Sequence, residues 1–259
     1  MRTENKLNEK QGHWILARLG KKVLRPGGKE LTEILIENMK INSQDDVVEF
    51  APGLGLTASL TCAKKPKSFT GVDNNEAASK LARKNIAFSE FKSIVADASQ
   101  TTLPDEYASK VYGEAMLTMQ PLKHKKAIVA EAARILKPGG YYGIHELSIT
   151  PNDVDEEIKE TIFKELSANI RVHARPLTTS EWTELLEDQG FKIIKVAHNP
   201  MHLLEPKRVV QDEGLLRTMK FVFNLAIHSD LRIRVIKMRK TFKKHSNHLN
   251  SIAIVAKKI

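Results

Sequence analysis

At 259 residues, with 41% hydrophobic and 28% charged side chains, the chain carries enough apolar material for one large folded domain, with or without insertions. It is too apolar for a disordered chain, and no run approaches the roughly 20 apolar residues of a membrane span. The opening MRTENKLNEKQGHW lacks the apolar core of a secretory signal, so a cytoplasmic location is expected. A single cysteine, Cys62, excludes an internal disulfide and any zinc site built on several thiolates. None of the nine histidines falls in an HxxxH or HExxH spacing on a convincing helix, so no metal site is expected. The net charge of +10 is unevenly placed: after Asp230 there is no Asp or Glu but nine Lys and Arg, which leaves the first 230 residues close to neutral.

From residue 31 to about 150 the pattern alternates between short β-rich runs and helical periodicity, as in a parallel sheet with crossover helices. Leu31, Ile34, Leu35 and Met39 make one face of a helix that precedes a strand over 47–50. Strands are predicted over 69–72, 93–96, 110–117 and 141–147, with helices over 77–86 and 127–136. The second helix should stop at Lys137-Pro138-Gly139-Gly140. Beyond 150, Val154, Ile158, Ile162, Leu166 and Ile170 recur at helical spacing behind the acidic cluster 153–157. Thr178 and Glu181 have capping-box spacing, which predicts a helix from Thr178 that closes at Gly190. A sixth strand over 191–197 and a seventh over 251–256 bracket about 50 residues of helical character. These include the apolar stretch 219–227 and a basic segment, 231–244, whose Leu231, Val235, Met238 and Phe242 share a face.

Chemistry concentrates where the first strand ends, in Val47-Val48-Glu49-Phe50-Ala51-Pro52-Gly53-Leu54-Gly55. Glycines there allow close backbone approach to a ligand, and open α/β sheets bind ligands at the carboxyl ends of their strands. Twenty residues beyond Gly53, at the end of the next strand, Asp73 can accept both hydroxyls of a ribose. Gly53-x-Gly55-x-x-Ala58 also fits a dinucleotide fold, although no second nucleotide-binding half follows. The charge of Glu49 would repel a pyrophosphate and attract a sulfonium ligand bearing an ammonium group.

Over roughly residues 30–150 the chain resembles the class I S-adenosylmethionine-dependent methyltransferases, with the quinone-biosynthesis enzymes as the nearest kind. Glu49 to Gly55 is similar to that family's first motif, with Ala51 where the first glycine is common. The resemblance implies an α/β fold with a seven-stranded Rossmann-like sheet, mostly parallel with an antiparallel seventh strand, plus a helical cap. It implies S-adenosylmethionine as cofactor, S-adenosylhomocysteine as product, and cofactor contacts from Glu49, Ala51, Pro52, Gly53, Gly55, Asp73, Asn74, Asp97, Ala98 and Glu114. Met116, Met119, His145 and Met201 are candidates for the acceptor pocket, and Glu114, His145 and Glu146 for a catalytic base.

Residues 1–30 are expected to form an N-terminal cap segment on a methyltransferase domain, 31–259, with cap insertions at about 148–178 and 198–250. Strands five and six should both exit on the ligand face, so the insertions depart where the acceptor binds. Leu203, Leu204, Met219, Phe221, Phe223 and Leu225 then suggest an enclosed, mostly apolar pocket. The expected reaction is in-line methyl transfer to a small, partly apolar organic acceptor. Two alternatives stand beside it: methylation of RNA or another polyanion, and a membrane-surface binding module using 232–244. Nucleic acid is the less expected partner; a homodimer is left open.

Overall fold

The computed structural model describes residues 11–259, so the first ten residues of the N-terminal segment lie outside the described part. β1 (Asp46–Phe50), β2 (Ser68–Asp73), β3 (Phe91–Val95), β4 (Ala108–Glu114) and β5 (Leu136–Ile149) form a parallel sheet in the order β3-β2-β1-β4-β5. A two-residue strand, β6 (Leu177–Thr178), pairs with the end of β5 and makes the count eight rather than seven. β8 (Leu249–Lys258) lies antiparallel between β5 and β7 (Phe191–Pro200), so β7 runs parallel to β5. The fold is α/β, with a mostly parallel mixed sheet and helices on both faces.

Strand alternation divides the apolar residues between two layers. Val48, Ile252 and Ile254 join the core under α5 (Leu122–Ile135) and α7 (Thr179–Glu187), where Trp182 is fully buried. Val47, Ala253 and Val255 point the other way, against Leu31, Leu35 and Met39 at α2 (Gly28–Asn38) and Ala82 of α4 (Glu76–Asn85). α7 begins with the capping box: Thr178 Oγ1 accepts from Glu181 N at 3.3 Å, and Thr178 N donates to the Glu181 carboxylate at 2.7 Å.

A third apolar cluster lies beyond the carboxyl ends of the strands. It joins α1 (Gly12–Arg18), α6 (Glu156–Ile170), α8 (Pro206–Glu213), α9 (Leu215–Ile227) and α10 (Ser229–Lys244) through Leu16, Ile162, Leu166, Val209, Phe221 and Met238. Leu231, Val235, Met238 and Phe242 are all buried, so the apolar face of the basic segment is occupied by its own protein. No helix among the described residues is long and apolar enough to cross a membrane.

Three local expectations need correction. The Lys137-Pro138-Gly139-Gly140 run is not a separate stop: α5 ends at Ile135 and β5 starts at Leu136, with Gly139 at φ 74 inside the strand. The fourth strand ends at Glu114 rather than 117, because Ala115 turns left-handed at φ 53 and Leu117–Met119 form a 3-10 turn. Met219 and Phe223 do not enclose a pocket: they are 66% and 63% exposed, while Phe221 between them is buried.

Candidate active site

A cavity of about 610 Å³ opens over the carboxyl ends of β1, β2, β3, β4 and β5 and under the third apolar cluster. It lies where the strand order reverses between β1 and β4, the crevice that open α/β sheets use for ligands. Ala51, Pro52 and Gly53 form the wall at β1, Asp73 and Asn74 at β2, and Asp97 and Ala98 beyond β3. Glu114, Met116, Met119 and Glu146 complete the sheet side, and Met201 approaches from the opposite side with Leu203, Met238 and Phe242.

The turn after β1 is left-handed twice, at Ala51 (φ 52) and Gly53 (φ 55). Ala51 adopts this with a Cβ, a conformation that glycine takes without strain. At Gly53 the only atom near a would-be Cβ is the Ala51 carbonyl oxygen, 3.9 Å away, so the turn presents bare backbone on the cavity wall. Gly55 answers a different need. It does not line the cavity, and a Cβ there would meet Ile86 Cγ1 at 2.9 Å, so this glycine lets α3 (Leu56–Ala63) pack on the end of α4.

Asp73 Oδ1 accepts the Asn75 amide at 2.9 Å, leaving Oδ2 without a hydrogen bond from the described residues. Burial pushes its carboxyl above the ordinary range. Asp97 is spent locally: Oδ1 accepts from Ser99 N at 2.8 Å and Ser99 Oγ at 2.7 Å, with His124 Nε2 at 2.9 Å. Burial opposes its ionisation, but these bonds and the His124 charge outweigh it and lower its pKa. His124 therefore lines the cavity as the partner of Asp97.

Two residues expected at the ligand sit behind it. Glu49 is 1% exposed and outside the cavity wall, and its Oε2 has no hydrogen-bond partner. Burial pushes its carboxyl up to about 8, so at neutral pH it presents no free charge to a cofactor. His145, expected in the acceptor pocket and as a base, is fully buried outside that wall. Gly27 N donates to its Nε2 at 3.1 Å, so the ring proton resides on Nδ1, which lies 2.8 Å from Glu114 Oε1. Neither ring nitrogen is left for a substrate. Strand alternation explains the placement: Ile144 and Glu146 face one side of β5, and His145 faces α2.

Glu114 is the centre of this buried network. It accepts from Arg25 Nε, from Thr57 Oγ1, and from Thr32 Oγ1 at 2.6 Å. Burial alone would raise its pKa, but Arg25, His145 and Thr32 hold the carboxyl down at about 2. Glu146 is equally committed. It accepts from Met116 N (2.9 Å), Leu117 N (2.8 Å), Thr118 N (3.0 Å) and Thr118 Oγ1 (2.6 Å), which fastens the turn carrying Met116 and Met119. All four of its strong contacts are donors, the pattern of an anchoring carboxylate.

Arg25 was not anticipated. It comes from the connection between α1 and α2, which α8 grips at several points. Lys22 N and Val23 N each donate to Glu213 Oε1 at 2.8 Å, Lys21 Nζ lies 3.5 Å from the same oxygen, and Arg208 donates to the Gly27 carbonyl. α8 thus positions the strap that sets both Arg25 on Glu114 and Gly27 on His145. His13 and His173 also line the cavity without having been predicted there; burial lowers His13 to about 4.

Residues 48–144 match the methyltransferase domain family, a span that ends just before His145 and Glu146. A Haemophilus influenzae protein of uncharacterised function is 35% identical over 251 residues, covering 95% of this chain and 98% of its own length. A Mycobacterium tuberculosis phthiotriol/phenolphthiotriol dimycocerosates methyltransferase is 33% identical over 102 residues, 39% of this chain and 37% of that enzyme. The chain is an S-adenosylmethionine-dependent methyltransferase. Its fold matches that of the Haemonchus contortus phosphoethanolamine N-methyltransferase 2, solved with S-adenosylhomocysteine, at a TM-score of 0.72 and 15% identity. That superposition covers 99% of this chain and 59% of the nematode enzyme.

S-adenosylmethionine is the cofactor of this methyltransferase, and the observed groups suit it. Asp73 Oδ2 offers an open acceptor for ribose hydroxyls, Gly53 offers bare backbone, and Ala96, Ala98 and Ile128 supply apolar wall for a purine. The expected charge attraction from Glu49 is not part of this fit, because burial keeps that carboxyl protonated at neutral pH.

Proposed function

We propose that this methyltransferase acts on a small, partly apolar organic acceptor. One observation carries the reading: the half of the cavity facing away from the strand ends is walled by Leu16, Ile170, Met201, Leu203, Met238 and Phe242. Apolar walls with a few polar groups suit a compact organic ligand better than a polyanion. The phthiotriol/phenolphthiotriol dimycocerosates relative, whose name gives an organic compound rather than a nucleic acid as acceptor, agrees in kind over the 39% of the chain it shares.

The bound cofactor supplies an electrophilic methyl group, so the chain's work is alignment and exclusion of water. Asp73 takes the ribose; Ala51 to Gly53 take the methionine end; Ala98 and Ile128 flank the adenine. Glu114, His145 and Glu146 are positioning residues, since their hydrogen-bonding capacity is already spent on Arg25, Gly27 and the 116–118 turn. The segments 148–178 and 198–250, with the N-terminal strap, act as one cap that selects the acceptor.

The test is a panel of apolar hydroxylated, aminated and thiol acceptors, with RNA included, incubated with methyl-labelled S-adenosylmethionine. Label should enter one apolar class, and Met238→Gln or Leu203→Gln should raise KM for it while cofactor binding holds. Label in RNA alone would refute the proposal.

A further inference from the structure

α9 presents its apolar side to solvent. Leu215, Leu216, Met219, Val222, Phe223 and Ile227 are all exposed, Leu216 to 84%, and at 3.6 residues per turn they share one arc opposite the buried Phe221. α10 packs beside it and exposes Ile233 and Ile236 on its outer face. Soluble proteins rarely leave so large an apolar surface without an occupant.

Charge identifies that occupant. Arg232, Lys237 and Lys240 surround Ile233 and Ile236 on the same outer face, and Lys220 edges the apolar arc of α9. Among the described residues no carboxylate pairs with any of these four cations, whereas Arg239 and Lys244 are held by Glu205 and Glu165. A second copy meeting this face by two-fold symmetry would set cations against cations. A nucleic acid would neutralise the cations but leave the Leu, Val and Phe side chains without a partner. A bilayer leaflet with anionic headgroups satisfies both, taking apolar side chains below the headgroups and cations among them.

We infer that the outer faces of α9 and α10 dock this methyltransferase on an anionic phospholipid surface. This surface is distinct from Leu231, Val235, Met238 and Phe242, which face inward. α10 then has two working sides: Met238 and Phe242 wall the cavity, and Ile233 and Ile236 meet the lipid about one helix diameter, roughly 10 Å, away. An apolar acceptor drawn from the bilayer would enter beside the helix that holds the protein there.

Vesicle flotation of the full chain tests the docking without reference to methyl transfer. Vesicles of phosphatidylcholine with phosphatidylglycerol should carry the protein, phosphatidylcholine alone should carry much less, and high salt should release it. Each cation near an anionic surface is worth about fivefold in partitioning, so Lys237→Glu with Lys240→Glu should lower binding at least tenfold. Leu216→Ser with Phe223→Ser should do the same, and S-adenosylhomocysteine binding reports that both variants remain folded. Failure of the wild-type chain to float with anionic vesicles would overturn the inference, as would flotation unaffected by either pair. A dimer dispersed by Leu216→Ser in the absence of vesicles, or submicromolar RNA binding without flotation, would assign the face to another partner.

Discussion

Arg25 and Glu114, 89 residues apart in sequence, form a buried ion pair that joins the strap before α2 to the carboxyl end of β4. Because α8 holds the strap, the pair connects α8 with the cavity floor at the end of β4. Breaking a buried pair by deleting one partner costs about 3 kcal/mol or more. Arg25→Met should therefore lower stability in urea by about that amount and weaken S-adenosylhomocysteine binding. Unchanged binding would show that the strap has no part in shaping the site.

Glu114 also predicts an acid limit to stability. Its carboxyl titrates near 2 in the folded protein and in the ordinary carboxylate range when unfolded. The unfolded chain then binds the proton first, so the stabilisation is complete above about pH 4.5 and is lost as pH falls toward 2. In Glu114→Gln the curve of stability against pH should be flatter across this interval. The same slope in both proteins would contradict the assignment.

Asp73 should govern cofactor affinity. Its carboxylate must be ionised to accept two hydroxyls, and burial has raised its pKa, so binding should weaken as pH falls through that raised value. Isothermal titration is expected to give micromolar affinity for wild type, about 8 kcal/mol, with Asp73→Ala reduced at least tenfold. Equal affinity in the variant would remove Asp73 from the site.

Ala51 holds a left-handed turn that glycine adopts more readily. Ala51→Gly should raise stability by about 1 kcal/mol, the strain relieved exceeding the added freedom of the unfolded chain. A lower denaturation midpoint would mean that the Ala51 methyl group packs usefully against the core beside it.

Replacement of Lys237, Arg239, Lys240 and Lys243 by Gln should leave turnover of a soluble small acceptor within a few fold. Met238→Asp, at a position 1% exposed, should damage folding or activity. The two results together would separate the charged outer side of α10 from its inner side.

Elements whose residues answer to their near neighbours were legible in the sequence. The Thr178 capping box, the strand-turn-helix around Gly53 and the buried face of α10 each depend on residues within a few turns of one another. α9 was not legible in this way. Its apolar residues lie both on the exposed arc and opposite it, so periodicity could not tell whether Phe221 or Phe223 faces inward, and packing on α8 and α10 decided it. The Arg25 pair was hidden by sequence distance. His145 could have been placed: on a strand whose next residue, Glu146, faces the cavity, alternation turns it away. Glu49 was read by its formal charge, whereas burial in the sheet suppresses that charge.

β8 occupies the slot between β5 and β7, yet it follows β5 by about 100 residues and is separated from β7 by the whole of α8, α9 and α10. During synthesis, β5 and β7 therefore leave the ribosome with neighbouring edges unsatisfied, and the intervening helices emerge before the strand that bridges them. Pairing across such separations is slow, and exposed strand edges invite association with other chains. A nascent chain stalled after Lys244 would present these open edges to a chaperone, and release of the following fourteen residues would close them.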